Sequence, residues 1–133
     1  MTNTTTLYTG IGKRKTSVAK VYLTEGQGNI TINNKSVDDF FMSLGEEREM
    51  LKNPFLLVNL TNKYDVEVKV HGGGVSSQLG AVQLGVVKAI CAIDIEYRSI
   101  FNKHLLLRRD SRIKERRKYG LKKARKASQY SKR

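Results

Sequence analysis

Alternation of hydrophobic and polar positions predicts three strands in the first third of the chain. They are Leu7 to Gly10, Ser17 to Leu23 and Asn29 to Ile32, where β-branched and aromatic residues are frequent. The basic segment 12–15 lies between the first two strands and is predicted to be a turn. Residues 25–28 predict a second turn, so a hairpin between the second and third strands is expected.

The middle of the chain predicts two short helical segments and two more strands. Ser36 is a candidate N-cap for a helix that runs through Phe41, because its hydroxyl can accept a hydrogen bond from the first turn. A second helical turn is predicted at Glu46 to Lys52. Strands are predicted at Leu57 to Leu60 and at Tyr64 to Val70, and in the latter valines alternate with charged residues.

The clearest pattern is a long helix that follows glycines 72–74. Apolar residues recur there at spacings of three and four and form one stripe: Leu79, Val82, Val86, Ile90 and Ile93. Small residues form a second stripe: Ala81, Gly85 and Ala89. Small side chains permit close approach of another backbone, and the pattern leaves open whether a sheet or an RNA strand approaches. A further helical turn is predicted beyond Ile95.

These elements predict one small α+β domain with a basic extension. Hydrophobic residues make up 39% of the 133 residues, but they thin out towards the C-terminus. The core must therefore come from about the first 97 residues, which is enough for one two-layer core. The predicted organisation is a compact α+β body at residues 1–107, with a small sheet covered by helices, and an extended basic tail at 108–133.

The net charge lies at one end of the chain. Residues 1–97 contain ten Lys or Arg and ten Asp or Glu, whereas residues 98–133 contain fifteen and two, a balance of +13 that equals the formal net charge of the whole chain. A neutral body with a polycationic tail is typical of proteins that bind nucleic acid. A tail that only improves solubility would not require cations of one sign. We expect the tail to become ordered only where phosphates neutralise it.

The segment 12–15 is the first candidate binding site in the body. Lys13, Arg14 and Lys15 are adjacent and present cations to a phosphate backbone, although a solvated charged turn would have the same sequence. The segment is not a P-loop. That motif places Ser or Thr directly after its lysine, and here Arg14 follows Lys13, while Leu7 stands where the first glycine belongs.

Glycines 72–74 are the second candidate site. They precede a helix N-terminus, where unpaired N–H groups and the helix dipole favour a phosphate. Ser76 and Ser77 add hydroxyl donors. A flexible connection between strand and helix is an equal alternative from these residues alone. The dinucleotide fingerprint is not met, since it requires Gly-x-Gly-x-x-Gly.

The sequence has no pattern typical of a catalytic or metal site. His71 and His104 are the only histidines, and they lie in different segments without Cys or Asp at metal-ligand spacing. Cys91 is the only cysteine and lies among apolar residues, which indicates a buried hydrophobe in a reducing compartment. We therefore expect no enzyme activity and no cofactor. No apolar run approaches the roughly 20 residues of a membrane span, and residues 1–6 lack the features of a signal peptide.

Three stretches together resemble a known family. Residues 10–21, 72–90 and 108–133 resemble the ninth protein of the small ribosomal subunit, the S-nine family, in its bacterial and organellar form. The middle stretch carries the family's signature through the three glycines, Gln78, Ala81, Gly85 and Lys88. The resemblance runs from Leu7 to the C-terminus without a break in order or spacing, and the first six residues fall outside it.

The resemblance implies a fold, partners and sites. The α+β body would include a left-handed βαβ crossover, which is an uncommon hand. It would bind rRNA in the head of the small subunit beside neighbouring head proteins, and the tail would reach the anticodon stem-loop of P-site tRNA. The residues expected to bind rRNA are Lys13, Arg14, Lys15, Gly72, Gly73, Gly74, Ser76, Ser77, Gln78, Lys88, Arg108, Arg109, Arg112, Arg116, Arg117, Lys118, Lys122, Lys123, Arg125 and Lys126. Those expected to bind tRNA are Ser131, Lys132 and Arg133.

The leading hypothesis is thus a structural, non-catalytic ribosomal protein. A free-standing nucleic-acid chaperone or DNA-compacting protein with the same tail is the alternative from another class. The chain is rich in Lys, Asn and Ile and has one Pro, as a gene of high A+T content would give. With no transit peptide visible, we expect a plastid (chloroplast) ribosome, with the bacterial cytoplasm as the alternative.

Overall fold

The computed structural model describes residues 6–108 together with Arg116 and Tyr119. The strands are β1 (Tyr8–Arg14), β2 (Ser17–Glu25), β3 (Ile30–Ile32), β4 (Lys35–Ser36) and β5 (Tyr64–His71). The helices are α1 (Val37–Phe40), α2 (Asn53–Leu57), α3 (Val75–Ile93) and α4 (Tyr97–Lys103), and a 3₁₀ segment, Met42–Leu51, lies between α1 and α2. These elements confirm the α+β class.

The five strands form one sheet in the order β1-β2-β5-β3-β4. β1 pairs with β2, β2 with β5 and β3 with β4, all antiparallel, whereas β3 and β5 are parallel. The parallel pair requires a crossover, and the segment between β3 and β5 supplies it with α1, α2 and the 3₁₀ turns. That this crossover is left-handed stays a prediction.

The β1–β2 hairpin is longer and its turn tighter than the sequence predicts. The strands stay paired up to Arg14 opposite Ser17, so only Lys15 and Thr16 form the turn. Lys15 has a φ of 52°, and two-residue hairpin turns favour such left-handed conformations. Lys13 and Arg14 therefore belong to a strand and point to opposite faces of the sheet, which corrects the prediction of a turn at 12–15.

The expected hairpin between β2 and β3 is wrong, because β3 pairs with β5 and β4 instead. The cause lies in Asp65 at the start of β5. Its Oδ1 accepts backbone hydrogen bonds from Gln27, Gly28 and Asn29 at 2.9–3.1 Å, which holds the loop after β2 against β5. The chain is thereby carried to the far side of β5. These N–H groups, that of Asn29 foremost, hold the pKa of the Asp65 carboxyl below its usual value.

The predicted strand at Leu57 to Leu60 is also wrong. Leu57 ends α2, and the chain then turns through Asn59, which has a φ of 58°. Pro54 favours the start of this helix because the first turn needs no N–H donor there. Phe55, Val58 and Leu60 are buried at helix and turn spacing. Elsewhere in the middle of the chain, the predicted cap is confirmed: Ser36 Oγ accepts from Asp39 N at 3.2 Å.

Helix α3 covers one face of the sheet and supplies the centre of the core. Its predicted apolar stripe is confirmed: Leu79, Val82, Val86 and Ile90 are buried and Ile93 is partly buried. The opposing strand residues are also buried, namely Ala19, Val21 and Leu23 in β2 and Val66, Val68 and Val70 in β5. Phe101 of α4 is completely buried against the same cluster, which confirms the helical turn expected beyond Ile95.

The stripe of small residues on α3 faces the sheet. A Cβ atom on Gly10 of β1 would lie 2.6 Å from Ala89 N and closer still to the carbonyl oxygen of Gly85. A Cβ on Gly85 would lie 2.7 Å from Cγ2 of Val21 and 3.1 Å from Gly12 N. The alternative left open by the sequence is thus decided: the approaching backbone is β1.

By length and composition α3 could also span a membrane, since it has 19 residues and is largely apolar. Ten of its residues are buried against the sheet and neighbouring helices. Its position as the core helix accounts for its apolar composition.

Candidate nucleic-acid interface

The basic hairpin and the glycine loop lie at the same end of the sheet. β1 ends, β2 begins and β5 ends there, since Val18 of β2 is paired with His71 of β5. A Cβ on Gly72 would lie 2.5 Å from the carbonyl oxygen of Thr16 in the hairpin turn. The two segments that the sequence analysis treated as separate candidates are therefore adjacent.

The glycine loop has a defined path. Gly72 and Gly73 have φ values of 78° and 67°, in the left-handed region that disfavours other residues. A Cβ on Gly73 would lie 2.7 Å from Ser77 Oγ and would overlap Ser17 Oγ. Ser17 Oγ donates to the Gly72 carbonyl at 2.8 Å, and Gln78 Nε2 donates to the same oxygen at 3.2 Å. These hydrogen bonds hold the loop in a defined conformation, and binding of a phosphate there stays a prediction.

Ser77 and Ser76 have different environments at the start of α3. Ser77 is buried, and its Oγ accepts from Gly74 N at 3.1 Å and lies 2.9 Å from both Gly74 O and Ser17 Oγ. Its hydroxyl fixes the loop and caps the helix from within. Ser76 is exposed and faces solvent beside Gly73 and Gly74. Of the two hydroxyls predicted to meet a phosphate, only that of Ser76 lies on the surface.

The three hairpin cations differ in exposure. Lys13 and Lys15 are exposed, whereas Arg14 is partly buried between β1 and α3. A Cβ on Gly80 would lie 2.5 Å from Arg14 Cδ and 2.9 Å from Nη1, so the arginine side chain lies along α3 where the helix has no side chain. Arg14 thereby brings a cation next to the first turns of α3.

Arg108 joins this end of the molecule. It lines a cavity of about 240 Å³ together with Lys13, Arg14, Leu105 and Leu106. The last residue of the segment 6–108 thus lies beside the hairpin cations. Sequence reasoning selected these cations but did not predict that they meet, because they lie far apart along the chain.

Lys88 belongs to a second basic region. It is exposed on α3 and lines a wide depression of about 550 Å³ with Arg98 and Asn102 of α4 and with Leu107. Sequence reasoning missed Arg98, although the charge boundary begins there. Cys91 also lines this depression, and burial raises the pKa of its thiol, against a smaller opposing effect of Arg98. The thiol is therefore kept in its less reactive form at neutral pH.

Most of the predicted tail contacts lie outside the described residues. They are Arg109, Arg112, Arg117, Lys118, Lys122, Lys123, Arg125, Lys126, Ser131, Lys132 and Arg133. Arg108 and Arg116 are described, and both side chains are exposed. Across the part of the chain that the structure describes, no three His, Cys, Asp or Glu side chains are placed to hold a metal ion.

Comparison with known proteins decides the family. The model of the family described as ribosomal protein S9/S16 matches residues 12–133. The chain belongs to this family. The family is structural and non-enzymatic, which confirms the resemblance and the expectation of no enzyme activity.

Several relatives carry the name small ribosomal subunit protein uS9. That of Gloeothece citriformis is 48% identical over 127 residues, covering 96% of this chain and 93% of the relative. That of a Synechococcus is 45% identical over 133 residues and covers both chains completely. That of Pseudothermotoga lettingae is 44% identical over 130 residues, with 96% of each chain covered. Membership in this family gives the protein a structural role in the ribosome.

Proposed function

We propose that this protein is a component of the small ribosomal subunit that binds its rRNA through the hairpin end of the body and through the basic tail. The names of its relatives support its assignment to the small ribosomal subunit. One observation carries the site: Lys13, Arg14 and Arg108 line one cavity, and the turn of the hairpin that carries two of them lies against Gly72 of the glycine loop. Cations from separate segments at one end of a body with an excess of only two positive charges are suited to a polyanion.

The chemistry of this end fits a phosphate backbone. Lys13 and Lys15 are exposed ammonium groups that can follow phosphates without a fixed geometry. The first N–H groups of α3 have no partners within the helix, and the helix dipole adds partial positive charge beside Ser76. Gly73 and Gly74 are exposed and have no side chain, so an RNA backbone can approach the loop closely. Such contacts position an RNA and do not read its bases.

Binding of the full-length chain to small-subunit rRNA over a range of salt concentrations tests this site. The variant Lys13→Gln/Lys15→Gln removes two exposed cations from the hairpin end. We expect the slope of log affinity against log salt to fall by up to about 1.4–1.8, since each lost phosphate contact contributes about 0.7–0.9. The control, Lys35→Gln/Lys63→Gln, removes the same charge from exposed positions elsewhere. Equal slopes for the two variants would contradict the site.

For the tail, we propose that residues 131–133 contact the anticodon stem-loop of P-site tRNA, and that the body lies beside other proteins of the subunit head. The resemblance supports this placement. Deleting residues 131–133 should leave subunit assembly intact and weaken tRNA binding several-fold, about equally for tRNAs of different anticodon. Normal tRNA affinity in subunits that contain the truncated protein would refute the contact.

We also propose that residues 1–107 fold as a body and that 108–133 become ordered on rRNA. Amide exchange with and without rRNA tests this division, and protection throughout the tail in the free protein would contradict it. The proposed compartment is a plastid ribosome, with the bacterial cytoplasm as the alternative, supported by the A+T-type composition. Whether the protein co-purifies with plastid or bacterial ribosomes tests the compartment.

A further inference from the structure

The sheet has a second face that α3 does not cover. Residues that alternate with the core positions point away from α3. Among them Lys20 and Lys69 are exposed, Ile11 is 48% exposed and Tyr22 is partly buried. We call Ile11, Lys20, Tyr22 and Lys69 the open face. In residues 6–108 the helices pack against the opposite side, where Val21 and Val68 are completely buried.

Two lysines lie directly opposite each other at the centre of the open face. The pairing of β2 with β5 sets Lys20 against Lys69. Directly paired residues have Cβ atoms about 4.5–5.5 Å apart, and like charges in such a pair are destabilising. No carboxylate of the described chain lies within 4.0 Å of either ammonium group. Glu67 lies on the same face, two residues before Lys69 in β5 and diagonal to Lys20, and it is paired with Tyr22 and Thr31. Neither lysine therefore forms a salt bridge within the described body.

The surroundings of this pair favour RNA over an acidic peptide. The Lys69 ammonium lies 5.9 Å from the centre of the Tyr22 ring, within cation–π range, so a flat ring lies beside the charge. Ile11 is paired with Lys20 and adds an apolar flank. Phosphates with attached riboses and bases match such a combination of cations and flat apolar surface. Lys20 also lies only about 10 Å along β2 from the hairpin end, so one RNA can reach both surfaces.

We propose that the open face is a second RNA-binding surface, on which Lys20 and Lys69 contact the phosphate backbone of small-subunit rRNA. The inference rests on the proposed function and extends it to residues that the hairpin site does not use. An external phosphate relieves the repulsion between the two lysines, so binding and fold stability are coupled at this pair.

The test uses the full-length chain and a transcript of small-subunit rRNA. Lys20→Gln/Lys69→Gln should reduce the salt slope by up to about 1.4–1.8, which corresponds to about 25–60-fold in affinity between 1 M and 0.1 M salt. The control Lys35→Gln/Lys63→Gln should reduce it less. Lys20→Arg/Lys69→Arg keeps both charges and should bind like the wild type. Tyr22→Thr should lower affinity without changing the slope.

Thermal unfolding of the free protein separates this role from a structural one. Removing the like-charge pair should leave the melting temperature of Lys20→Gln/Lys69→Gln unchanged or raised. A lowered melting temperature would overturn the premise of repulsion. A salt slope equal to that of the control, or normal rRNA binding with loss of a neighbouring protein from reconstituted subunits, would overturn the RNA surface.

The same binding measurements distinguish failure of the open-face proposal from failure of the proposed function. If Lys13→Gln/Lys15→Gln weakens binding and Lys20→Gln/Lys69→Gln does not, the open face alone is refuted. If the wild-type chain does not bind the transcript, both proposals fail together.

Discussion

Replacing Gly10 with alanine tests the close contact between β1 and α3 on which the fold depends. The added Cβ would lie 2.6 Å from Ala89 N and 3.2 Å from Ala89 Cα, whereas ordinary van der Waals contact begins at 3.4 Å. It would come closer still to the Gly85 carbonyl oxygen. These neighbours are backbone atoms inside a helix, so no side-chain rotation can make room. The helix must move away from β1 by about 0.8 Å or more, the difference between 3.4 and 2.6 Å.

The loss of stability follows from the buried side chains that move with α3. The α3 side chains of Val82, Val86 and Ile90 are completely buried, and a shift of this size weakens their contacts with the sheet. Overpacking of this kind costs about 1–3 kcal/mol and sometimes more. Alanine is more favourable than glycine in a strand and lowers the entropy of the unfolded chain, which together stabilise the fold by about 0.5–1 kcal/mol. Because the neighbours are backbone atoms, the upper end of the overpacking range applies, and we expect Gly10→Ala to lower the free energy of unfolding by about 2–2.5 kcal/mol.

Urea unfolding of the full-length chain, followed by far-UV circular dichroism, measures this loss. With an m-value of about 1.5 kcal/mol per molar urea, the midpoint should fall by about 1.3–1.7 M. Gly74→Ser is the control, because a Cβ there meets no atom within 4 Å and the φ of −90° suits any residue. Serine is also a good helix N-cap, so this midpoint should stay or rise slightly. A Gly10→Ala midpoint within about 0.3 M of the wild type would refute the close-contact argument.

Three further substitutions test other parts of the structure. Backbone N–H groups, that of Asn29 foremost, lower the pKa of Asp65, so its carboxylate stabilises the fold above about pH 4 and this contribution is lost as the pH falls through the lowered pKa. Asp65→Asn should thus lower the melting temperature at pH 7 by several degrees, and the difference from the wild type should shrink at pH 3; an equal difference at both would contradict this account. Ser77→Ala removes the buried hydroxyl that fixes the glycine loop and should cost about 1–2 kcal/mol in urea unfolding, whereas Ser76→Ala should be near neutral. Phe101→Ala opens a cavity under α4 and should cost about 3–5 kcal/mol; a loss below 1 kcal/mol would show that α4 is not docked as described.

Local periodicity predicted the elements whose buried face is continuous. In β5 alternate valines are buried, and the strand lies where the alternation of 64–70 places it. In α3 the spacing of three and four marks the buried stripe, and Ser36 caps α1 because capping depends on groups only three residues apart. In each case the physical cause is local in the chain, so the sequence displays it directly.

Other features depend on groups that are distant in the sequence. The partner of β3 is set by hydrogen bonds from residues 27–29 to Asp65, which no local pattern reveals. The run at 57–60 is short and apolar, and such a run fits a buried turn as well as a strand. That Lys13 and Arg108 line one cavity depends on the tertiary fold, and the pairing of Lys20 with Lys69 depends on the register of the sheet.

The strand directions also explain how a body with an excess of only two positive charges can bind RNA. β2 begins beside the hairpin cations and ends at Glu25, while β5 begins at Asp65 and ends at the glycine loop, so these two acids lie at the end of the sheet opposite to the hairpin cations. A nine-residue strand spans about 30 Å, and the Debye length at physiological salt is about 8 Å. The acidic end is therefore screened from a phosphate at the hairpin end and cancels little of its attraction. RNA approaching the hairpin end is subject mainly to the field of nearby cations, whatever the total charge of the body.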